Sequence, residues 1–192
     1  MYGGRVMAGM MGHNRGPSLE AGFGFRKVAW GKARAALMPA LPLEVVRLRV
    51  KRAQRLGLPY KTYATVRAVT GRDIVGFLFS DNALGVRRGG AVPEAERARL
   101  EGLEGAAARL IAVHGPGDPA AFLEPGVIDG AGRAPGLMAS WRGAREGLRA
   151  LAAEAAVPYD GLVVVAVTEL EKEWSAIAGL GGTIPRDVMF PS

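Results

Sequence analysis

The sequence contains no cysteine, which removes thiolate metal sites and cysteine nucleophiles and turns attention to its carboxylates, two histidines and a run of arginines. Four residues stand just past its most apolar runs. Asp81 follows IVGFLFS, His114 and Asp118 bracket the turn HGPGD, and Glu169 follows LVVVAVT. Three carboxylates and one imidazole gathered at one rim would offer oxygen ligands to a Mg²⁺-type ion, or a base beside a phosphodiester. The sharp expectation is therefore a metal-dependent nuclease or phosphotransfer site. The plain alternative is that polar residues simply end strands, as they do in most α/β proteins. Residue types alone leave the catalytic and metal roles open.

A second chemistry is the grip of phosphates. Arg47, Arg49, Lys51, Arg52 and Arg55 put five cations into nine residues, with only Glu44 close enough to offset them. Like charges one helical turn apart repel by a few tenths of a kcal/mol per pair. Such a stripe therefore implies a polyanion, a docking acidic surface, or the protein's own acidic half. That half exists. Residues 1–90 hold 16 Lys/Arg against four carboxylates, a surplus of +12, whereas residues 91–192 hold nine against 14, a balance of −5. Asymmetry of this kind points to a polyanion-binding part joined to a neutral or acidic one. Arginine supplies 20 of the 25 basic residues. It forks phosphate bidentately, although a GC-rich coding sequence enriches arginine too.

The elements that would position these groups follow from periodicity. Leu43, Val46, Val50, Ala53 and Leu56 recur at three- and four-residue spacing, which predicts a helix over 43–56 with Arg47, Lys51 and Arg55 on a continuous flank. Pro42 suits its start and Gly57 its C-terminal stop. The segment after it, with Ala53, Leu56-Gly57-Leu58, Thr62, Tyr63 and Val66, resembles a helix-turn-helix motif over about twenty residues. The resemblance implies that Tyr60, Lys61, Ala64, Thr65 and Arg67 face outward on a second helix entering the major groove. The first helix would then lie along the phosphates. A β-hairpin built from KTYATVRAV and IVGFLFS is the rival reading of residues 60–80, with the helix preferred.

Further along, Ile74–Phe79, Arg109–Val113 and Leu162–Val167 read as buried strands. Helices are expected over 93–108, 137–157 and 169–178. Strand–helix alternation is the order of a parallel α/β unit. Residues 115–136, rich in glycine and proline, read as a long loop. Residues 1–26 read as a glycine-rich tail in which His13-Asn14 carries nothing, and 27–38 as a short basic helix.

The fold class expected is thus α/β: a basic helical part over 27–72, then a small, three-stranded, mainly parallel unit over 73–192. Some functions are excluded by motif. HGPG lacks the Lys and Ser/Thr of a phosphate-binding loop, the GxG at Gly130–Gly132 has no feeding strand, and no serine sits in a GxSxG frame. No cofactor is expected. No run approaches the roughly 18–20 apolar residues of a membrane span, and no secretory block opens the chain, so a cytoplasmic protein is expected. Taken together, the sequence points to a regulatory, nucleic-acid-binding protein, with DNA the expected partner and homodimerisation or ligand sensing left to the α/β part. The strand-end enzyme and a module docking an acidic protein are the alternatives.

Overall fold

The computed structural model describes residues 41–86 and 90–191. The glycine-rich tail read at 1–26 and the basic helix read over 27–38 lie outside the described residues. Residues Leu43–Ser192 form one compact unit. Its helices, in chain order, are α1 (Leu43–Arg55), α2 (Tyr60–Thr70), α3 (Glu94–Glu101), α4 (Trp141–Glu154), α5 (Glu169–Ala178) and α6 (Arg186–Met189). Its strands are β1 (Gly76–Ser80), β2 (Ala108–Val113), β3 (Gly130–Arg133), β4 (Leu162–Ala166) and β5 (Thr183–Pro185). Short 3₁₀ turns at Pro119–Phe122 and Tyr159–Gly161 complete the path. None of the described helices is long and apolar enough to cross a membrane.

The strands form a single parallel sheet in the order β3-β2-β1-β4-β5. Central β1 is hydrogen-bonded on both sides, with Leu78 level with Leu110 of β2 and with Val164 of β4. Every residue of β1 and β4 is buried, as near-continuous apolar runs demand when both faces of a sheet are covered. Alternation sorts the two cores. Phe77, Phe79, Ile111, Val113, Val163 and Val165 face one layer, where Ala53, Leu56, Tyr63 and Val66 of α1 and α2 pack with Leu100 of α3 and Met189 of α6. Leu78, Leu110, Ala112 and Val164 face the other, against Leu148 and Leu151 of α4 and Trp174 of α5. The basic helices thus share a core with the sheet.

The strand count corrects the expectation of three. Both additional strands lie at sheet edges and carry poor strand residues. In β3, a Cβ on Gly130 would stand 2.8 Å from Leu110 Cδ2 and 3.1 Å from Ala155 Cβ, so the strand is threaded between its neighbour and the end of α4. Glycine is what permits that approach. It also turns part of the expected loop at 115–136 into sheet. In β5, Pro185 sits at the sheet edge, where no ladder partner needs its missing N–H. The ambiguity at 60–80 resolves into a helix over Tyr60–Thr70 followed by β1. The helix expected over 93–108 is shorter, ending at Glu101, and the one over 137–157 contracts to Trp141–Glu154.

Candidate functional site: the basic helix pair and the strand-end cleft

The cations of α1 and α2 divide into two sets. Arg52 is built into the fold: its Nε donates to Asp73 Oδ2 at 3.0 Å, its Nη1 to the Ala106 carbonyl at 2.8 Å and its Nη2 to the Ile74 carbonyl at 2.6 Å. Arg67 lies 3.5 Å from Asp73 Oδ1, the oxygen that also accepts from the Tyr63 hydroxyl at 2.8 Å and the Ile74 N–H at 2.9 Å. Burial pushes the Tyr63 phenol up, and its bond to the Asp73 carboxylate pushes it further in the same direction. Arg49 is half-buried, and its buried Nε meets no acceptor among the described residues. Arg52 departs from the expected outward stripe because its flank of α1 meets backbone carbonyls that a guanidinium can reach several at a time. Arg67 of α2 departs from it because it pairs with the Asp73 carboxylate.

The second set stays in solvent. Arg47 is exposed and pairs only with Glu44 one turn away, at 2.7 Å. Arg55 reaches the Gly105 carbonyl at 3.1 Å from an exposed position. Lys51 and Lys61 are exposed, with no ion-pair partner among the described residues. Tyr60 is 36% exposed, and Thr65 is exposed with its hydroxyl bonded back to the Lys61 carbonyl at 2.9 Å. Glu44 is the one carboxylate on either helix. The turn between the helices is Leu56-Gly57-Leu58-Pro59. Gly57 has φ +58°, and both flanking leucines are buried. Arg99 of α3 clamps it from below, donating to the Gly57 carbonyl at 2.6 Å and the Leu56 carbonyl at 3.3 Å. Burial lowers the Arg99 pKa.

At the carboxyl ends of the strands the four rim residues come together only in part: Asp81, His114 and Asp118 border one cleft, and Glu169 does not. Asp81 and His114 meet: Asp81 Oδ1 lies 2.5 Å from His114 Nδ1 and accepts from the His114 backbone N–H at 3.2 Å. Asp118 is exposed and caps the following 3₁₀ turn, accepting from the Ala120 N–H at 3.0 Å. Glu169 is exposed and paired with Lys172 at 2.6 Å. No group of three His, Asp or Glu side chains among the described residues is placed to hold a metal ion. The rim thus supplies one acid–base pair where a triad of oxygen ligands was expected.

A fifth residue holds the rim together. Glu171 of α5 is fully buried between the loops after β1 and β4. Its carboxylate accepts from the Val167 N–H at 2.7 Å, the Thr168 N–H at 2.9 Å and Asn82 Nδ2 at 3.2 Å, and the nearby Ser80 hydroxyl also favours its charged form. Burial alone would raise its pKa, but these donors outweigh it and hold the group below the usual carboxylate value. Thr168 and Glu171 form a reciprocal capping box. The Thr-x-x-Glu spacing was the readable signal for this residue, and the strand-end Glu169 drew attention away from it.

Beside the Asp81–His114 pair opens a cleft of about 620 Å³, bounded by the loops after β1 and β2, by α3 and by the segment leading to β3. Val113, Phe122, Val127 and Ile128 line its apolar side. Arg97, which also borders it, is held by Glu124 across the cleft and lies 3.6 Å from Glu101. Comparison of the chain with protein-family models, curated proteins and solved structures finds no match.

Proposed function

We propose that this protein binds nucleic acid, DNA in the first instance, through the outward surface of α1 and α2, and that the α/β body carries the regulatory or dimerising role. One observation carries the reading. With Arg52 and Arg67 committed to Asp73, the cations left in solvent are Arg47, Lys51, Arg55 and Lys61, and they face a single carboxylate, Glu44. Exposed cations gathered on one short helix pair attract a polyanion and release its condensed counterions. The tight turn at Gly57 supports reading α2 as the helix that would approach a groove, with Tyr60, Lys61 and Thr65 on its open side.

Fluorescence anisotropy with a labelled 20-base-pair duplex tests this. If each of the four cations neutralises one phosphate, the logarithm of the binding constant falls against the logarithm of salt with a slope of about −3.6. A triple charge reversal, R47E/K51E/R55E, is expected to weaken binding at least ~10-fold at low salt. Duplex binding that the triple variant leaves unchanged sinks the reading, and so does a salt slope near zero.

A further inference from the structure

The cleft beside Asp81 and His114 is a second site, and its chemistry differs from that of the basic helices. Its size falls within the ~300–1,000 Å³ of small-molecule sites, and it sits where the loops leave the carboxyl ends of β1 and β2, the usual ligand edge of a parallel sheet. Asp81 and His114 are part-exposed, with 18% and 28% of their side chains in solvent. The carboxylate on Nδ1 orients the imidazole and leaves Nε2 as the nitrogen with a lone pair, the arrangement of a positioned base. Behind the ring lies Trp174, fully buried in the opposite core layer with ring centroids 5.7 Å apart, so that its indole backs the imidazole without lining the cleft.

The surroundings select the substrate. Asp81, Asp118 and Glu124 line the cleft, while its described cation, Arg97, is already spent on Glu124. Among the described lining residues carboxylates outnumber cations, which disfavours a phosphate. A neutral or cationic molecule with an apolar body would meet Val113, Phe122, Val127 and Ile128. No described residue lining the cleft carries a hydroxyl, and Ser80, at the end of β1, is fully buried. Water is then the attacking group.

The geometry points to a general-base hydrolytic site for small uncharged esters, with His114 the base and Asp81 its positioning residue. His114 Nε2 takes a proton from water as the water oxygen adds to the acyl carbon. The bond from that carbon to the alcohol oxygen then breaks, and the imidazolium returns its proton to the departing alkoxide. One water and one ester give one acid and one alcohol, and the pair ends unchanged.

The test uses the full chain with 4-nitrophenyl butyrate as the neutral probe and 4-nitrophenyl phosphate as the anionic one. The butyrate ester is expected to be hydrolysed faster than by free imidazole at equal concentration. H114Q is expected to lose ~10²–10⁴ in kcat/KM, the usual worth of a positioned base, and H13Q to lose nothing. D81N should lower kcat with little change in KM. It should also move the proton of His114 from Nδ1 to Nε2 in long-range ¹H–¹⁵N spectra, a signature that simple loosening of the fold does not give. Far-UV circular dichroism confirms that each variant is folded. Turnover no better than imidazole overturns the assignment, as does equal turnover by folded H114Q. Preferential cleavage of the phosphate overturns the substrate class.

Discussion

Glu171 and Asn82 lie 89 residues apart in the chain and meet in the middle of the sheet edge. A carboxylate that accepts two backbone N–H groups and a side-chain amide in full burial is stabilising only while ionised. Glu171→Gln replaces one acceptor oxygen with a donor amide facing other donors, and is expected to destabilise by ~1–3 kcal/mol at neutral pH. The pH dependence has a fixed sign. Because the folded pKa lies below the usual 4.5, the stabilisation is complete above that value and drains away as pH falls through the lower folded value. Melting curves of the wild type and E171Q between pH 7 and pH 3 should therefore converge on acidification. Curves that stay parallel would show that the charge of Glu171 contributes nothing. Arg109 makes the same point with opposite charge. It is 4% exposed, donates to both oxygens of Asp129 and reaches the carbonyls of Leu100 and Gly126. Burial raises the pKa of Asp129, but the bonds and charge of Arg109 more than offset this, leaving it lowered. Asp129→Asn leaves that guanidinium short of its counter-charge. The expected cost is about 2–3 kcal/mol, under the ~3–5 of a fully buried pair because Asp129 keeps 36% of its side chain in water. A fall in the urea midpoint measures it.

At the scale of elements, the α1–α2 turn shows how sequence pattern and packing agree. Gly57 is left-handed, a conformation that costs a residue with a Cβ about 1–2 kcal/mol, and a Cβ there would also stand 2.0 Å from the Arg99 guanidinium. Gly57→Ala is thus expected to cost on the order of 2 kcal/mol, less in an Arg99→Ala background where the clamp is already gone, and a double-mutant cycle on urea midpoints reads the coupling. The spacing of Leu43 through Leu56 and the Leu-Gly-Leu-Pro break made this pair of helices legible, as the unbroken apolar runs did β1, β2 and β4. The edge strands were not legible. Gly-Ala-Gly-Arg carries no apolar alternation because Leu110, Leu151 and Ala155 occupy the space its side chains would need. Thr-Ile-Pro is too short to show a period at all. Of the rim, the strand-end positions of Asp81 and His114 were readable, but their pairing depends on β1 and β2 lying side by side in parallel, which no local pattern encodes. Asp118 borders the same cleft but spends its carboxylate on the cap of its own 3₁₀ turn, and Glu169 lies outside the cleft. Ending a strand or turn places a residue near the rim without saying which way it faces.

Across the whole molecule, arginine does two jobs that composition cannot separate. Arg99, Arg109, Arg133, Arg145, Arg149 and Arg186 all donate to backbone carbonyls from other parts of the chain. Arg145 and Arg149 sit on the last carbonyls of α5, where the helix dipole favours a cation. Part of the basic surplus is therefore internal cross-linking, and the net charge of +7 overstates what is available to a partner. A thermal-shift experiment separates the two uses. Unfolding releases the cross-linking arginines, so a polyanion attracted merely by composition binds the unfolded chain at least as well as the folded one. Duplex DNA would then leave the melting temperature unchanged or lower it. A polyanion that reads the folded arrangement of Arg47, Lys51, Arg55 and Lys61 binds the native state in preference. At a free concentration 100 times its dissociation constant it stabilises by about 2.7 kcal/mol, which for a chain of this size is a rise of roughly 5–10 °C. The rise should vanish in R47E/K51E/R55E and shrink steeply between 50 and 200 mM salt. A melting temperature that falls on adding DNA to the wild type would assign the positive charge to holding this fold together and to nothing outside it.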